Sequence, residues 1–560
     1  MMRQHILTAA LLAVSMTAFG QNLNPTVEVT NTYEGGAGDI VKPELRMNIP
    51  DSVMKFNLDF DYSVFEHPYK GAYDFRPYMV QLRPQARPST ENRFYLRAGA
   101  GFSLHPEVLA VWTPYARKGW KVNVYADHRS FFGRYRGITP SAMATGWSLK
   151  DDGSRHTGYD ALTKAGVNGS RTWSSGVADL DVAYGNRLAK DPFVRRAANS
   201  VDITARVRSQ NPSERYFYYD ATVKYRYLDD SGATGASYAV DEDAYESFFD
   251  ADGTFGVVVD GKQQVLTDIG ALVERQGIGG KERFTGNIYA APHYQFVNDA
   301  WHFDLGVKVS ALFHDGDGYG KASGFLFPAV HVDYRMLEDR LVLQAAATGG
   351  DKVNTYGDVL ARNPFFCLSR WEADNSVELL RAMVGVRGKV TNLFQYDLRL
   401  GYAREAHALM DALYDVGGGT MVPGLGYADY DLLYAELLYG WKSNHIEVDG
   451  RLDYGWSDCD TRLVFAPAAF TGHIRAAYNW GARLKAGFDL SGSSSRTAPA
   501  GTVDYTLPGY VDLGLFGEFG LNDTLSVWGK VGNLLNQTIQ RTPYHAEQGL
   551  YLTAGLCLHF

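Results

Sequence analysis

The chain has 560 residues and a formal net charge of -9, from 54 Lys and Arg against 63 Asp and Glu. It carries no basic tract, which excludes a nucleic-acid interface of the phosphate-neutralising kind. The 3 cysteines, Cys367, Cys459 and Cys557, are far apart and odd in number, which excludes a closed disulfide framework and a cysteine metal site.

The first residues read as a secretory signal, 1–20. Arg3 is the positive start, Ile6 to Ala18 is a short apolar run, and Ala18-Phe19-Gly20 before Gln21 is a cleavage signal. The run is too short to span a membrane as a helix. Cleavage near Gly20/Gln21 removes Arg3 and no acid, so the charge becomes -9 - 1 = -10. The first cysteine after the signal is Cys367, so no N-terminal lipid anchor on cysteine is expected.

Residues 21–92 form a proline-rich segment: seven of the 20 prolines are here, from Pro25 to Pro88. Proline lacks the donor a sheet ladder needs. The segment is expected to be extended, in the periplasm or entering a lumen, with Thr26–Thr30 as its best short strand.

From Arg93 to Phe560 the pattern is period 2. Trp301, Phe303, Leu305, Val307 and Val309 share one face, with His302, Asp304, Lys308 and Ser310 on the other. Phe394, Tyr396, Leu398, Leu400 and Tyr402 alternate with Gln395, Asp397 and Arg399. Ile446, Val448, Leu452, Tyr454 and Trp456 oppose Glu447, Asp449, Arg451 and Asp453. The last stretch puts Leu550, Leu552, Ala554, Leu556, Leu558 and Phe560 on one side, as a closing strand with a lipid face. In all, 22 strands are expected.

Links after even strands are very short, as at Arg117-Lys118-Gly119 and Asp260-Gly261-Lys262. Links after odd strands are often long and polar: 135–156, 189–199, 350–371, 406–426, 494–507 and 533–547. Sorting loop lengths by end is expected of an outer-membrane barrel, with both termini in the periplasm. Aromatic residues cluster near strand ends, as at Tyr115, Trp120, Tyr439, Trp441, Tyr478 and Trp480, where headgroups would lie. The fold class is all-β: a transmembrane antiparallel β-barrel over 93–560, surrounded by outer-membrane lipid and lipopolysaccharide.

Residues 508–560 resemble the end of the TonB-dependent receptor-like β-barrel family. The resemblance is carried by Leu525–Gln537 running into Asn533-Leu534-Leu535-Asn536, a loop with Tyr544, and a strand ending on Phe560. The aromatic-rich style and Gln21 resemble proteins of the Bacteroidota. The family implies a large barrel for transport, normally with an N-terminal plug of over a hundred residues. Only 72 residues separate the signal from Arg93, so no full plug domain is expected.

Candidate chemistry is sparse. Lumen-facing charges are expected at Asp304, Lys308, Asp397, Arg399, Glu447, Asp449, Arg451 and Asp453, chiefly pairing across strands. Asp315-Gly-Asp317-Gly, Asp241-Glu-Asp243 and Asp250-Ala-Asp252 read as polar turns rather than calcium loops, lacking EF-hand spacing. His105, His128, His156 and His545 fall at the extracellular end with no nucleophile paired to them. No catalytic, cofactor or metal motif is found, so the chain is not expected to be an enzyme. The expected role is a binding or scaffolding subunit of an outer-membrane assembly with protein partners. The alternative is a transporter or pore gated by the N-terminal segment. Cys367 and Cys459 are left open as a pair, and Cys557 reads as a small residue within a strand.

Overall fold

The computed structural model describes residues 93–560, apart from 103, 211–216, 232–242, 261, 316–322, 338–339, 392, 460, 482 and 502. Expectations for 1–92, including the signal and the segment 21–92, lie outside the described residues.

The strands are β1 (Phe94–Gly101), β2 (Glu107–Arg117), β3 (Trp120–Met143), β4 (Gly146–Trp173), β5 (Gly176–Lys190), β6 (Arg195–Ser209), β7 (Phe217–Asp230) and β8 (Ala244–Asp260). Next come β9 (Gln263–Ile278), β10 (Lys281–Val297), β11 (Trp301–His314), β12 (Ser323–Leu337), β13 (Leu341–Val353), β14 (Asn375–Thr391), β15 (Phe394–Asp415) and β16 (Met421–Lys442). The last are β17 (Ile446–Asp458), β18 (Phe470–Trp480), β19 (Leu484–Ser493), β20 (Arg496–Pro499), β21 (Asp504–Leu507), β22 (Tyr510–Gly520), β23 (Leu525–Gly532) and β24 (Tyr551–His559).

Of these 24 strands, β20 and β21 form a small hairpin above the wall, which leaves 24 - 2 = 22 in the barrel. Each wall strand pairs antiparallel with the next. β19 pairs directly with β22, and β24 pairs with both β23 and β1. Closure is completed by Phe94 N–H donating to the Phe560 carbonyl at 2.8 Å and Phe560 N–H to the Phe94 carbonyl at 3.0 Å. A closed ring leaves no strand edge, the condition for crossing lipid with strands.

The two ends of the barrel differ. At one end the links are tight. Arg117 pairs with Trp120 across Lys118 and Gly119, which take φ of 51° and 80°. Two successive positive φ values make the hairpin turn whose twist matches the strands. A Cβ on Gly119 would strike the Thr172 carbonyl oxygen.

At the other end several expected loops are wall. β3 and β4 run 24 and 28 residues and pair through most of 135–156. β15 and β16, 22 residues each, pair through most of 406–426. β5 and β6 cover all of 189–199 except a turn where Asp191 Oδ1 accepts the Phe193 and Val194 N–H groups at 2.8 and 2.7 Å. Bulges at Arg136/Ile138 and Glu405/Ala408 re-phase the side chains, so the apolar alternation breaks there while backbone pairing continues. The link 494–507 holds β20 and β21, and β21 lies parallel to β4 through Asp504–Thr506 against Gly146–Ser148.

These extensions do not simply rise from the wall. A helix, α1 (Tyr356–Arg362), and a 3-10 turn (Leu368–Arg370) occupy the β13–β14 link that 350–371 marked as a polar loop. Tyr356, Val359, Leu360, Phe366, Leu368 and Trp371 from that link pack in one buried cluster with Ala198 of β6, Leu228 of β7, Ala244 of β8 and Leu425 of β16. β6 and β16 stand ten strands apart in a ring of 22, nearly opposite each other. A second cluster joins Ile138 and Leu149 of the β3–β4 extension to Leu413, Phe465, Tyr505, Leu507 and Tyr544. The extracellular elements therefore fold over the mouth as a cap with its own apolar cores. Burying a side chain such as Phe366 stabilises by about 2 kcal/mol.

Cys367 and Cys459 form no disulfide, and Cys557 is buried within β24.

Candidate functional site: the lumen wall and its capped mouth

On the wall, apolar residues face outward. Leu398 and Leu400 of β15 are 41% and 50% exposed, whereas Asp397 and Arg399, alternating with them, point inward. The inward charges are paired. Arg399 holds Asp397 two residues away, and Gln344 Nε2 of β13 donates to the same carboxylate at 2.6 Å. Arg451 holds Asp453 at 2.8 Å, and Glu436 of β16 lies between the two arginines, 3.9 Å from Arg399 and 3.4 Å from Arg451. Glu447 accepts from Lys485 at 2.8 Å. Lys308 is 3.6 Å from Asp351 and sits over the Tyr289 ring. Asp304 stands opposite His331 and Asp449 opposite Arg475.

On the closing strand, Leu550, Leu552, Leu556 and Phe560 are half exposed or more. Ala554 is exposed with them, and Leu558 is partly buried.

Three of the four histidines converge. His156 stacks on Tyr135 at 5.9 Å, His545 lies 5.3 Å from the same ring, and His105 meets Phe131, which is edge-on to Tyr135. His545 also stacks on Phe365 from the β13–β14 link and is 3.7 Å from Asp191. Burial holds the His156 imidazole, in the β4 extension above the wall, below its usual range. His128 stands apart, bonded to Thr163 at 2.8 Å and Ser130 at 2.9 Å.

The aspartate clusters serve local structure. Asp315 Oδ2 accepts the Phe284 N–H at 2.9 Å. Asp250 and Asp252 lie within β8, 2.9 and 3.9 Å from Lys224. Asp241 and Asp317 lie outside the described residues. Among the described residues, no group of three or more His, Cys, Asp or Glu is placed to hold a metal ion.

A dense polar cluster fastens α1 to strands β6–β9 of the wall. Thr355 caps the helix, its Oγ1 accepting from Asp358 N–H at 3.3 Å. The next two free amides go to carboxylates of the wall: Tyr356 N–H donates to Glu274 Oε1 at 2.8 Å and Gly357 N–H to Glu246 Oε2 at 2.5 Å. Arg226 of β7 donates through Nε to Glu246 at 2.6 Å and through a terminal nitrogen to Thr355 Oγ1 at 3.0 Å. It also lies 3.4 Å from Asp358. A Cβ on residue 357 would run into the Arg226 guanidinium, so glycine is what admits the arginine. Arg196 donates to the Tyr356 hydroxyl at 3.1 Å and the Phe366 carbonyl at 2.9 Å, and the Tyr356 hydroxyl donates to Asp230.

None of Arg196, Arg226, Asp230, Glu246 or Glu274 stood out in the sequence. The available signal was the cap sequence Thr355-Tyr356-Gly357-Asp358 followed by apolar Val359, Leu360, Phe365, Phe366, Leu368 and Trp371 in a supposedly polar loop.

Comparison with solved structures places this geometry in a known architecture. The copper transporter OprC superposes with a TM-score of 0.61 at 11% identity, over 84% of this chain and 80% of that one. The FrpB iron transporter from Neisseria meningitidis gives 0.64 at 10%, over 84% and 81%. The siderophore receptor PirA from Acinetobacter baumannii gives 0.57 at 11%, over 84% and 80%. No protein-family model and no curated protein sequence matches the chain. At these identities the likeness is one of fold. The barrel has the architecture of the TonB-dependent receptor-like barrels that the resemblance of 508–560 implied.

Proposed function

We propose that the chain is an integral outer-membrane barrel that receives a ligand at its extracellular cap and controls passage through its lumen. The observation that carries this reading is the bridge across the mouth. The β13–β14 link is held to β6–β9 by a buried ionic cluster and to β16, ten strands from β6, by an apolar one, over a lumen whose wall carries paired charges. A pairing so specific, placed above a wall lined with paired charges, suits an entrance that opens and closes. The fold likeness to a copper transporter, an iron transporter and a siderophore receptor supports import as the class of activity and leaves the ligand unnamed. The outward apolar band supports an outer-membrane location. In this reading the protein is a transporter and not an enzyme.

The second reading is a subunit of an outer-membrane assembly. It is favoured by the top of the β3–β4 extension, where Met143, Trp147 and neighbouring Val503 are each more than a third exposed and offer an apolar contact.

The test is conductance of the purified full-length chain in planar bilayers, paired with mild-detergent pull-down from outer membranes. Ligand- or mutation-dependent conductance supports gated passage. A silent barrel that co-purifies with a stoichiometric partner, and loses it on Trp147→Asp, supports the subunit reading.

A further inference from the structure

Glu246 of β8 and Glu274 of β9 are both fully buried, and their carboxyl groups are in hydrogen-bonding contact. They lie at the extracellular ends of their strands, above the outward apolar positions Val265 and Ile269 and level with the exposed Arg275–Glu282 ion pair. The groups facing them come from every neighbouring element; β10 supplies Thr285, opposite Glu274, and Arg283, whose guanidinium goes to Glu372 and the Ala373 carbonyl. β7 supplies Arg226 and Asp230, β6 supplies Arg196, β9 supplies Gln276, β16 supplies Tyr427, and the capping link supplies Tyr356 and Asp358.

Counting charges within the buried set gives two guanidiniums, Arg196 and Arg226, against three carboxylates, Asp230, Glu246 and Glu274. One negative charge is in surplus. Asp358, at 61% exposure, faces water and stands outside this balance. A buried surplus charge is removed most cheaply by a proton. Asp230 is engaged by Arg196 and the Tyr356 hydroxyl, and Glu246 by Arg226, so Glu274, whose pKa is pushed up by burial and by Glu246 beside it, is where that proton resides. Glu274 Oε2 has no other hydrogen-bond partner among the described residues, which leaves it free to carry the proton toward Glu246.

We infer that the Glu246–Glu274 pair is a proton-held latch that keeps the segment 354–374 closed across the mouth and releases it when the shared proton is lost. The pair grips the link through consecutive amides, Tyr356 and Gly357. Losing the proton puts two carboxylate charges side by side, with Arg226 alone to offset them. The link is the part free to leave, because β8 and β9 are locked in the wall by their ladder. The closed state binds one more proton than the open state. Closure is therefore strongest at acid pH and weakens by up to about tenfold per pH unit once the shared proton titrates.

The experiment is amide hydrogen exchange on the full-length protein in nanodiscs between about pH 5.5 and 9.5, expressed as protection factors so that intrinsic base catalysis cancels. Peptides covering 354–374 are expected to lose protection at least tenfold over that range, while peptides of β11 stay constant. Glu274→Gln keeps the acceptor for Tyr356 N–H without a titrating charge, so its 354–374 peptides stay protected throughout. Flat protection in the wild type overturns the inference, as does an equal pH slope in Glu274→Gln. If that variant does not insert, Glu246→Gln serves in its place and is read the same way. The readout needs no ligand and no transport, so it stands or falls separately from gated import.

Discussion

Glu274 Oε1 accepts the backbone N–H of Tyr356 at 2.8 Å, joining the start of the β13–β14 link to a strand 82 residues earlier in the chain. This bond and its neighbour at Gly357 turn an extracellular link into a bridge. Their strength depends on Arg226, which touches Glu246, Thr355 and Asp358 together.

Arg226→Ala should therefore open the cap while sparing the barrel. Removing one partner of a buried, hydrogen-bonded charge pair costs about 3–5 kcal/mol, because the remaining carboxylate is left uncompensated. Limited proteolysis should cut within 354–374 in the variant and not in the wild type, and heat-modifiable migration on gels should persist. An uncut link would mean that the apolar cluster around Phe366 and Trp371 holds the cap without the arginine.

Leu556→Arg tests the orientation of the closing strand. Leu556 is half exposed and lies near the middle of β24. On a lipid face an arginine at midplane costs about 2–4 kcal/mol. Reversible unfolding from lipid vesicles should show that loss, while Cys557→Ser, on the other face, should lose less. A tolerated arginine would place Leu550, Leu552, Ala554, Leu556, Leu558 and Phe560 away from lipid.

Gly119→Ala tests the tight end. Residue 119 sits at φ 80° with a carbonyl where a Cβ would go. The left-handed conformation alone costs an L-residue about 1–2 kcal/mol, and the contact adds to it. The β2–β3 hairpin should pair more slowly, seen as a lower refolding yield into detergent. Lys118→Gly should move the yield the other way, since it relieves the positive φ of 51° at that position. Unchanged yields in both would show that the turn does not limit assembly.

How far the sequence reveals this molecule depends on what kind of signal each part carries. The wall was legible because lipid on one side and polar lumen on the other impose alternation. The alternating run Trp301, Phe303, Leu305, Val307 and Val309 lies within β11, and the expected 22 strands are the 22 of the wall. Alternation fails where both faces meet water or protein. Gly137, Pro140, Asp151, Asp152 and Gly153 suggest a loop, yet the backbone is paired on both sides of the bulge at 137 and 152–154. The cap was not legible for a different reason. Phe366, Leu368 and Trp371 follow neither period, and their partners Ala198, Leu228 and Ala244 are more than a hundred residues away. Of the histidines, position near strand tops could be read from the sequence, but the meeting of His156 and His545 on Tyr135 depends on how the cap folds.

That meeting gives the last prediction. His156 Nε2 is buried without a hydrogen-bond partner among the described residues, and burial depresses its basicity. The packed cap therefore binds fewer protons at this site than an opened one. Its contribution is full above the ordinary imidazole value of about 6.5 and is lost as pH falls below it. Exchange protection of peptides within 146–158 and 538–550 should drop between about pH 7.5 and 5, and His156→Phe should remove most of that drop. The direction is opposite to that expected for 354–374, where closure strengthens with acid. One pH series thus separates the two devices: protection rising with acid in one segment and falling in the other supports both. A common direction would mean that the cap responds as a single body, and that neither the histidine nor the glutamate pair governs its own segment.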